Sequence, residues 1–244
     1  MTYCLAIRLD AGMVFGSDSR TNAGVDYVST YSKMHTFAVK DERFFVLLTS
    51  GNLATSQAVV NLIQHDLENP KATVSLKTVE YVSDAAHYIG ELNYRVQKEH
   101  MDAMHRSGLN PESNFLLGGQ INGKPHDIFH IYPQGNYISA SPETPYLQIG
   151  ETKYGKPILD RIVTPTINLG EAARCALVSL DSTIRSNISV GPPIELAIYK
   201  KDAFELDHYL NLKLDSPFFI SLQKNWNEGL KRAFKRLPRF DWES

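Results

Sequence analysis

Thr2-Tyr3-Cys4-Leu5-Ala6-Ile7-Arg8-Leu9, then Asp10-Ala11-Gly12, then Met13-Val14-Phe15-Gly16-Ser17: residues 2–17 hold a β-prone run, a turn and a second β-prone run. Asp and Gly supply the turn, because they tolerate the backbone angles that tight connections need. The stretch reads as a hairpin that begins at the extreme N-terminus. A terminal residue anchored in a strand is held still instead of fraying. Whatever chemistry Thr2 carries is therefore placed, not tethered.

Outward from the hairpin, a loop with Thr21, Asn22 and Gly24 leads to a strand from Met34 to Val39. A polar turn at Lys40-Asp41-Glu42 and a strand from Phe44 to Thr49 follow. Asn52 stands where a helix cap belongs, ahead of Ala54, Val59, Val60 and Ile63, and Pro70 closes that segment. From about Thr78 to His105, Val79, Val82, Ala86, Ile89, Leu92 and Val96 recur at three- and four-residue steps. That spacing predicts a long amphipathic helix, ended at Gly108.

Strands return from Asn114 to Gly118, Asp127 to Tyr132, Asn136 to Ala140 and Tyr146 to Ile149, with turns at Asn122-Gly123 and Gln134-Gly135. Helices from Lys156 to Ile162 and Leu169 to Ile184, a strand from Ile194 to Tyr199 and a terminal helix from Ser216 to Arg236 complete the order. Segregated runs of strands and helices predict two sheets between helical layers, not a parallel βαβ sheet. No repeat or linker divides the chain, so residues 1–244 are expected to be one domain, with 216–244 as a C-terminal helical tail.

Hydrophobic residues make up 43% of the 244 positions, enough for a core without disulfide or metal staples. A net charge of −2 offers no long-range attraction to polyanions, so nucleic acid is not an expected partner. Arg8 and Asp10 interrupt any leader-like run, and Phe44-Phe45-Val46-Leu47-Leu48 is too short to cross a bilayer. No membrane association and a cytoplasmic location are expected. Cys4 and Cys175 match no metal or redox spacing and read as small buried apolar residues.

Gly-rich phosphate loops, Gly-x-Ser-x-Gly and His-Glu-x-x-His are missing from the sequence. His126 and His130, four apart on or beside a strand, would be separated by roughly 13 Å, too far to share a metal. They read as sheet or surface histidines, and His100 and His105 as solvated residues near a helix end. No metal and no cofactor are expected. What remains is Thr2, Asp18, Arg20 and Lys33.

A small residue after the initiator methionine permits removal of Met1, leaving Thr2 with a free amine whose reference pKa is about 7.7–8.0. That amine can take the proton of the Thr2 hydroxyl, itself a weak nucleophile. A neighbouring lysine would favour the neutral amine by like-charge repulsion, and a carboxylate would hold that lysine. Lys33 and Asp18, on neighbouring strands, can fill those roles. The bland alternative is a surface ion pair worth about 0–1 kcal/mol.

The pattern in full is more specific. Thr2-Tyr3-Cys4-Leu5-Ala6-Ile7, followed by Phe15-Gly16-Ser17-Asp18-Ser19-Arg20-Thr21-Asn22-Ala23-Gly24, closely resembles the start of a proteasome β subunit. Lys33 follows at nearly the family spacing, and Leu48-Thr49-Ser50-Gly51 looks like the family's oxyanion glycine ahead of a helix. The opening Met-Thr-Tyr-Cys is most similar to the bacterial Anbu, or ancestral β-subunit, group.

The resemblance implies an α+β fold, a four-layer αββα sandwich of two antiparallel sheets, with Thr2 in a cleft at one end. It implies a threonine-type N-terminal-nucleophile peptidase working through an acyl-enzyme. Asp18 and Lys33 would be the supporting pair, Gly51 N–H an oxyanion donor, Thr49 and Leu53 neighbours of the substrate pocket, and Arg20 a structural residue. The family's Gly-Ser-Gly segment is matched by Ile149-Gly150-Glu151-Thr152, without serine, and its Asp-x-x-Ser-Gly element by Asn187-Ile188-Ser189-Val190-Gly191. Two residues are open for the later support, Ser189 after a shift and Asp181 from the helix.

The family also implies assembly of identical copies into a ring or an open spiral, and leaves any unfoldase partner unidentified. Tyr81, Tyr88 and Tyr94, outside the main apolar stripe of the long helix, are candidates for the contact between copies. The basic amphipathic stretch from Leu230 to Leu237 reads as a solvated helix or a subunit contact. Two further functional readings stand beside the peptidase: an amidase for a small non-peptide amide, and a catalytically weak subunit that builds an assembly.

Overall fold

A computed structural model of the chain describes residues 1–22 and 28–243, without the side chains of Asn22, Val28, Ala103 and His105. Ala23 and Gly24 of the expected loop, and the His105 side chain, thus lie outside the described residues. The N-terminal hairpin is β1 (Tyr3–Leu9) and β2 (Gly12–Asp18), with Cys4 opposite Ser17 and Leu9 opposite Gly12. The short strands β3 (Arg20–Asn22) and β4 (Val28–Thr30) pair with each other. Next come β5 (Met34–Val39), β6 (Arg43–Gly51), α1 (Leu53–Glu68) and α2 (Val82–Arg106). The second half runs β7 (Ser113–Ile121), β8 (Asp127–Ile131), β9 (Tyr137–Ser139), β10 (Tyr146–Gly150), α3 (Lys156–Ile162) and α4 (Leu169–Ser186). β11 (Ile194–Lys200), β12 (His208–Leu212) and α5 (Pro217–Phe234) complete it.

The strands form two five-stranded antiparallel sheets, ordered β10-β1-β2-β11-β12 and β5-β6-β7-β8-β9. Alternation along each strand sorts the side chains into three cores. Tyr3, Leu5, Ile7 and Leu9 of β1 meet Leu159 of α3, Ala176 and Leu180 of α4 and Phe219 of α5. Cys4 and Ala6 of the same strand join Phe15, Phe44, Val46, Leu48 and Leu116 between the sheets. Phe45, Leu47, Phe115 and Leu117 pack on Val59 and Ile63 of α1 and Ile89 and Leu92 of α2. Each fully buried Leu, Ile, Val or Phe among them contributes about 1.5–3 kcal/mol. The layers are helix, sheet, sheet, helix, the expected four-layer sandwich. Because β1 is covered on both faces, it lacks the in-out polarity of a half-exposed strand.

Four details differ from the sequence reading. Thr21 and Asn22, expected in a loop, belong to β3 because their backbone pairs with Ser29 and Val28 of β4. α2 begins at Val82, not Thr78, because side chains first satisfy the backbone in a turn. Ser75 N–H donates to Thr78 Oγ1 at 2.9 Å, Thr78 N–H returns to Ser75 O, and Tyr81 N–H donates to Asp84. β12 carries no apolar alternation because it is an edge strand exposed at four of its five residues. Tyr88 is not a free surface residue: it packs in the α1–α2 core and donates its hydroxyl to Asp66 at 2.6 Å. Tyr81 and Tyr94 stay about half exposed. Among the described residues no helix is long and apolar enough to cross a membrane.

Candidate active site

β1 enters its sheet at Tyr3, so Thr2 stands at the mouth of the sandwich. Glu151 N–H donates to Thr2 O at 2.7 Å, and Tyr3 lies opposite Gly150 of β10. The two backbones approach so closely that a Cβ on Gly150, which has φ +82°, would lie 1.9 Å from Thr2 O. By alternation Thr2 shares the face of Cys4, toward the gap between the sheets. There it lines a pocket of about 510 Å³ together with Lys33, Thr49, Gly51 and Leu53.

Asp18 ends β2 and Lys33 immediately precedes β5. Their side chains are 0% and 6% exposed, with Lys33 Nζ 2.7 Å from Asp18 Oδ1. Lys33 Nζ also donates to Arg20 O at 2.6 Å. Asp18 Oδ1 accepts the Tyr3 N–H at 3.0 Å and Oδ2 accepts the Gly191 N–H at 3.1 Å. One carboxylate thus ties the residue after Thr2, the lysine and the loop before β11. Burial pushes the Asp18 carboxyl up, opposed by the Lys33 ammonium and by the Tyr3 and Gly191 amides. The amine of Met1 is lowered, first by partial burial and then by Lys33, while Asp18 and Glu151 oppose the shift. The pair is not on the surface, which removes the bland alternative for it.

Gly51 closes β6 at φ +98°, and a Cβ there would lie 2.4 Å from Glu112 O. Thr49 N–H donates to Lys33 O on the β5 side, whereas Asn52 N–H donates to Glu112 O on the β7 side. Because the sides alternate, Gly51 N–H faces the side used by Thr49, beyond the start of β5, and Gly51 lines the same pocket as Lys33. Arg20 braces the site from behind: its carbonyl holds Lys33, and its Nη1 donates to Ile188 O at 2.6 Å.

The sequence of this framework matches the family model described as Proteasome subunit over residues 2–199. The chain belongs to the proteasome subunit family. Among solved structures it is similar to the Anbu protein of Yersinia bercovieri, at 44% identity and a TM-score of 0.92, covering 100% of both chains. It is equally similar to a Pseudomonas aeruginosa structure titled as the helical assembly of the Anbu complex, at 44% identity, TM-score 0.92 and 99% of each chain. A proteasome subunit beta type-6-A like protein of Salmo salar is 26% identical over 132 residues, 52% of this chain and 59% of the relative. The chain therefore spans 59% of the length of that curated relative.

This proteasome-family chain departs from the family pattern in one corner of the site. Glu151 stands where the family's serine is expected, and Asn187 where its aspartate is expected. The two meet, with Asn187 Nδ2 donating to Glu151 Oε2 at 2.7 Å. Sequence reading registered the missing serine but not this partnership, since the two residues lie 36 positions apart.

Ser189 does not line the pocket; its N–H donates to Asn187 Oδ1, and its loop reaches the buried pair through Gly191. Asp181 turns to Arg185 and to Gln223 of α5, away from Thr2. His130, read from sequence as a sheet or surface residue, lines the pocket with Asn114.

Proposed function

We propose that this chain is a threonine-type amidohydrolase whose nucleophile is Thr2 once Met1 is removed. The observation that carries the reading is the Asp18 carboxylate, which bonds both the Tyr3 N–H beside Thr2 and the Lys33 ammonium. With Met1 gone, partial burial and the nearby Lys33 charge would both favour the neutral form of the Thr2 amine and let it act as a base.

The Thr2 amine takes the hydroxyl proton as Oγ attacks the substrate carbonyl. Negative charge on the carbonyl oxygen is met by the Gly51 N–H. The amine then hands its proton to the leaving nitrogen, the C–N bond breaks, and an ester remains on Thr2. Water, deprotonated by the same amine, attacks that ester and frees the hydroxyl. Thr49 and Leu53, on the α1 side of the pocket, receive the substrate. Peptides are the proposed substrate class. A small non-peptide amide would use the same steps and is separated by digesting a peptide library.

Several copies of the chain assemble, in this reading, around such sites. The helical assembly named for the Pseudomonas aeruginosa relative supports it, as do the exposed Phe218, Ile220, Leu230 and Phe234 of α5. A head-to-tail contact repeated by identical chains closes a ring or winds a spiral.

Protein made in its own host is treated with a peptide boronate or epoxyketone, and the intact mass and the labelled residue are determined. The expected result is loss of Met1 and an adduct on Thr2. Full-length chains that retain Met1 yet hydrolyse substrate would end the terminal-amine mechanism. No adduct and no hydrolysis would leave the assembly-building subunit, which the unusual Glu151–Asn187 corner favours, as the function. Light scattering coupled to size exclusion tests assembly, and a 27.4 kDa monomer would refute it.

A further inference from the structure

Besides the nucleophile, the pocket holds a second polar pair on its opposite wall. His130 of β8 and Asn114 of β7 both line it, and His130 Nε2 lies 3.1 Å from Asn114 Oδ1. They belong to the inner face of their sheet, since Leu116 and Ile128, two positions away on the same strands, pack between the sheets. Among the described residues neither the other ring nitrogen of His130 nor the other polar atom of the Asn114 amide has a hydrogen-bond partner. Neither atom is sealed from solvent without one. Both residues line the pocket, and both atoms are accessible.

The hydrogen-bonding parity of this pair does not depend on how its protons are drawn. If His130 Nε2–H donates to the Asn114 oxygen, the free atoms are an imidazole lone pair and an amide NH₂: one acceptor and one donor. With the amide reversed and the other tautomer, the free atoms are an imidazole N–H and an amide oxygen: again one donor and one acceptor. Burial lowers the His130 pKa to about 4, so the ring is neutral at pH 7 and keeps this parity.

A carboxylate offers only acceptors and an ammonium only donors, so each leaves half of the pair unsatisfied. A carboxamide offers one of each and satisfies both.

We propose that His130 and Asn114 form a subsite that recognises a neutral carboxamide of the substrate. The inference deepens the proposed hydrolase reading only in taking this pocket as the substrate's. The same chemistry can come from an Asn or Gln side chain or from the peptide group itself, and the test separates them. In the Thr2→Ala protein, the N-acetyl methylamides of Gln, Met, Glu and Lys are compared by ligand-observed saturation-transfer titration. Two added hydrogen bonds predict that the Gln ligand binds about tenfold tighter than the isosteric Met ligand.

Asn114→Leu and Asn114→Ala, each verified by unchanged thermal unfolding, should erase that difference. Equal binding of all four ligands, weakened alike by either Asn114 variant, assigns the peptide group as the source. Equal binding that ignores Asn114, or tightest binding of the Glu or Lys ligand, overturns the subsite. Because Thr2 is absent, the outcome is independent of acylation. Failure of Thr2 labelling in the wild type ends the hydrolase and not the subsite, and the converse holds.

Discussion

Replacing Lys33 by Met tests the buried pair most directly. The ammonium sits 2.7 Å from Asp18 Oδ1 with 6% of its side chain exposed, and Asp18 has no exposure at all. Removing one partner of such a pair leaves an uncompensated charge and costs about 3–5 kcal/mol. At this chain length each kcal/mol lowers the unfolding midpoint by about 2–4 °C, so a fall of roughly 6–20 °C is expected. The two amides that also bond Asp18 remain, which places the cost toward the lower end.

Asp18→Asn should cost a comparable amount, because its NH₂ would face the Gly191 N–H or the Lys33 ammonium. The double variant should recover part of the loss, with a coupling of about 0.5–3 kcal/mol. Differential scanning calorimetry at fixed protomer concentration gives these numbers, and the rate of Thr2 labelling by a boronate gives the chemistry. Labelling should slow more than tenfold in either single variant, measured well below its midpoint. If Lys33→Met shifts the midpoint by less than 2 °C and labels at the wild-type rate, the pair supports neither fold nor amine, and the reasoning fails.

Gly51→Ala should slow labelling by about 10²–10³-fold through displacement of the oxyanion donor, since its Cβ would lie 2.4 Å from Glu112 O at a φ of +98°; a wild-type rate would show that Gly51 N–H is not the donor. Glu151→Gln keeps the contact with Asn187 but removes a negative charge that raises the pKa of the Met1 amine and, by the same attraction, should raise that of the Thr2 amine once Met1 is gone. The acid limb of the labelling rate should therefore move to lower pH, and a shift to higher pH would contradict the assignment. His130 has a folded pKa lowered to about 4 against an unfolded value of about 6.5. The unfolded chain gains this proton first, so the stability that neutral His130 preserves is present above pH 6.5 and lost as pH falls toward 4. The loss amounts to roughly 3 kcal/mol, and His130→Gln should flatten that part of the urea-midpoint profile against pH.

Much of this molecule is local physics that one chain of letters displays. The turn at Asp10-Ala11-Gly12, the Asn52 cap and the stepped apolar residues of α2 each reflect a preference acting over a few residues, so the hairpin, the helices and the layered order were readable. The candidate trio of Thr2, Asp18 and Lys33 could be proposed from sequence for a related reason: the chemistry proposed needs an N-terminal amine, and the family resemblance implies its neighbours.

Burial is not local. Whether Asp18 and Lys33 form a weak surface pair or a desolvated one depends on the Gly191 loop and the opposing sheet covering them, and those segments are distant in sequence. The same holds for Glu151 meeting Asn187, for Tyr88 turning to Asp66, and for His130 and Asn114 facing the pocket instead of solvent. Sequence determined which groups are present and which strands and helices carry them. Tertiary structure alone decided which charges are desolvated and which polar atoms are left open to a ligand, because both follow from packing between segments that no short-range preference specifies.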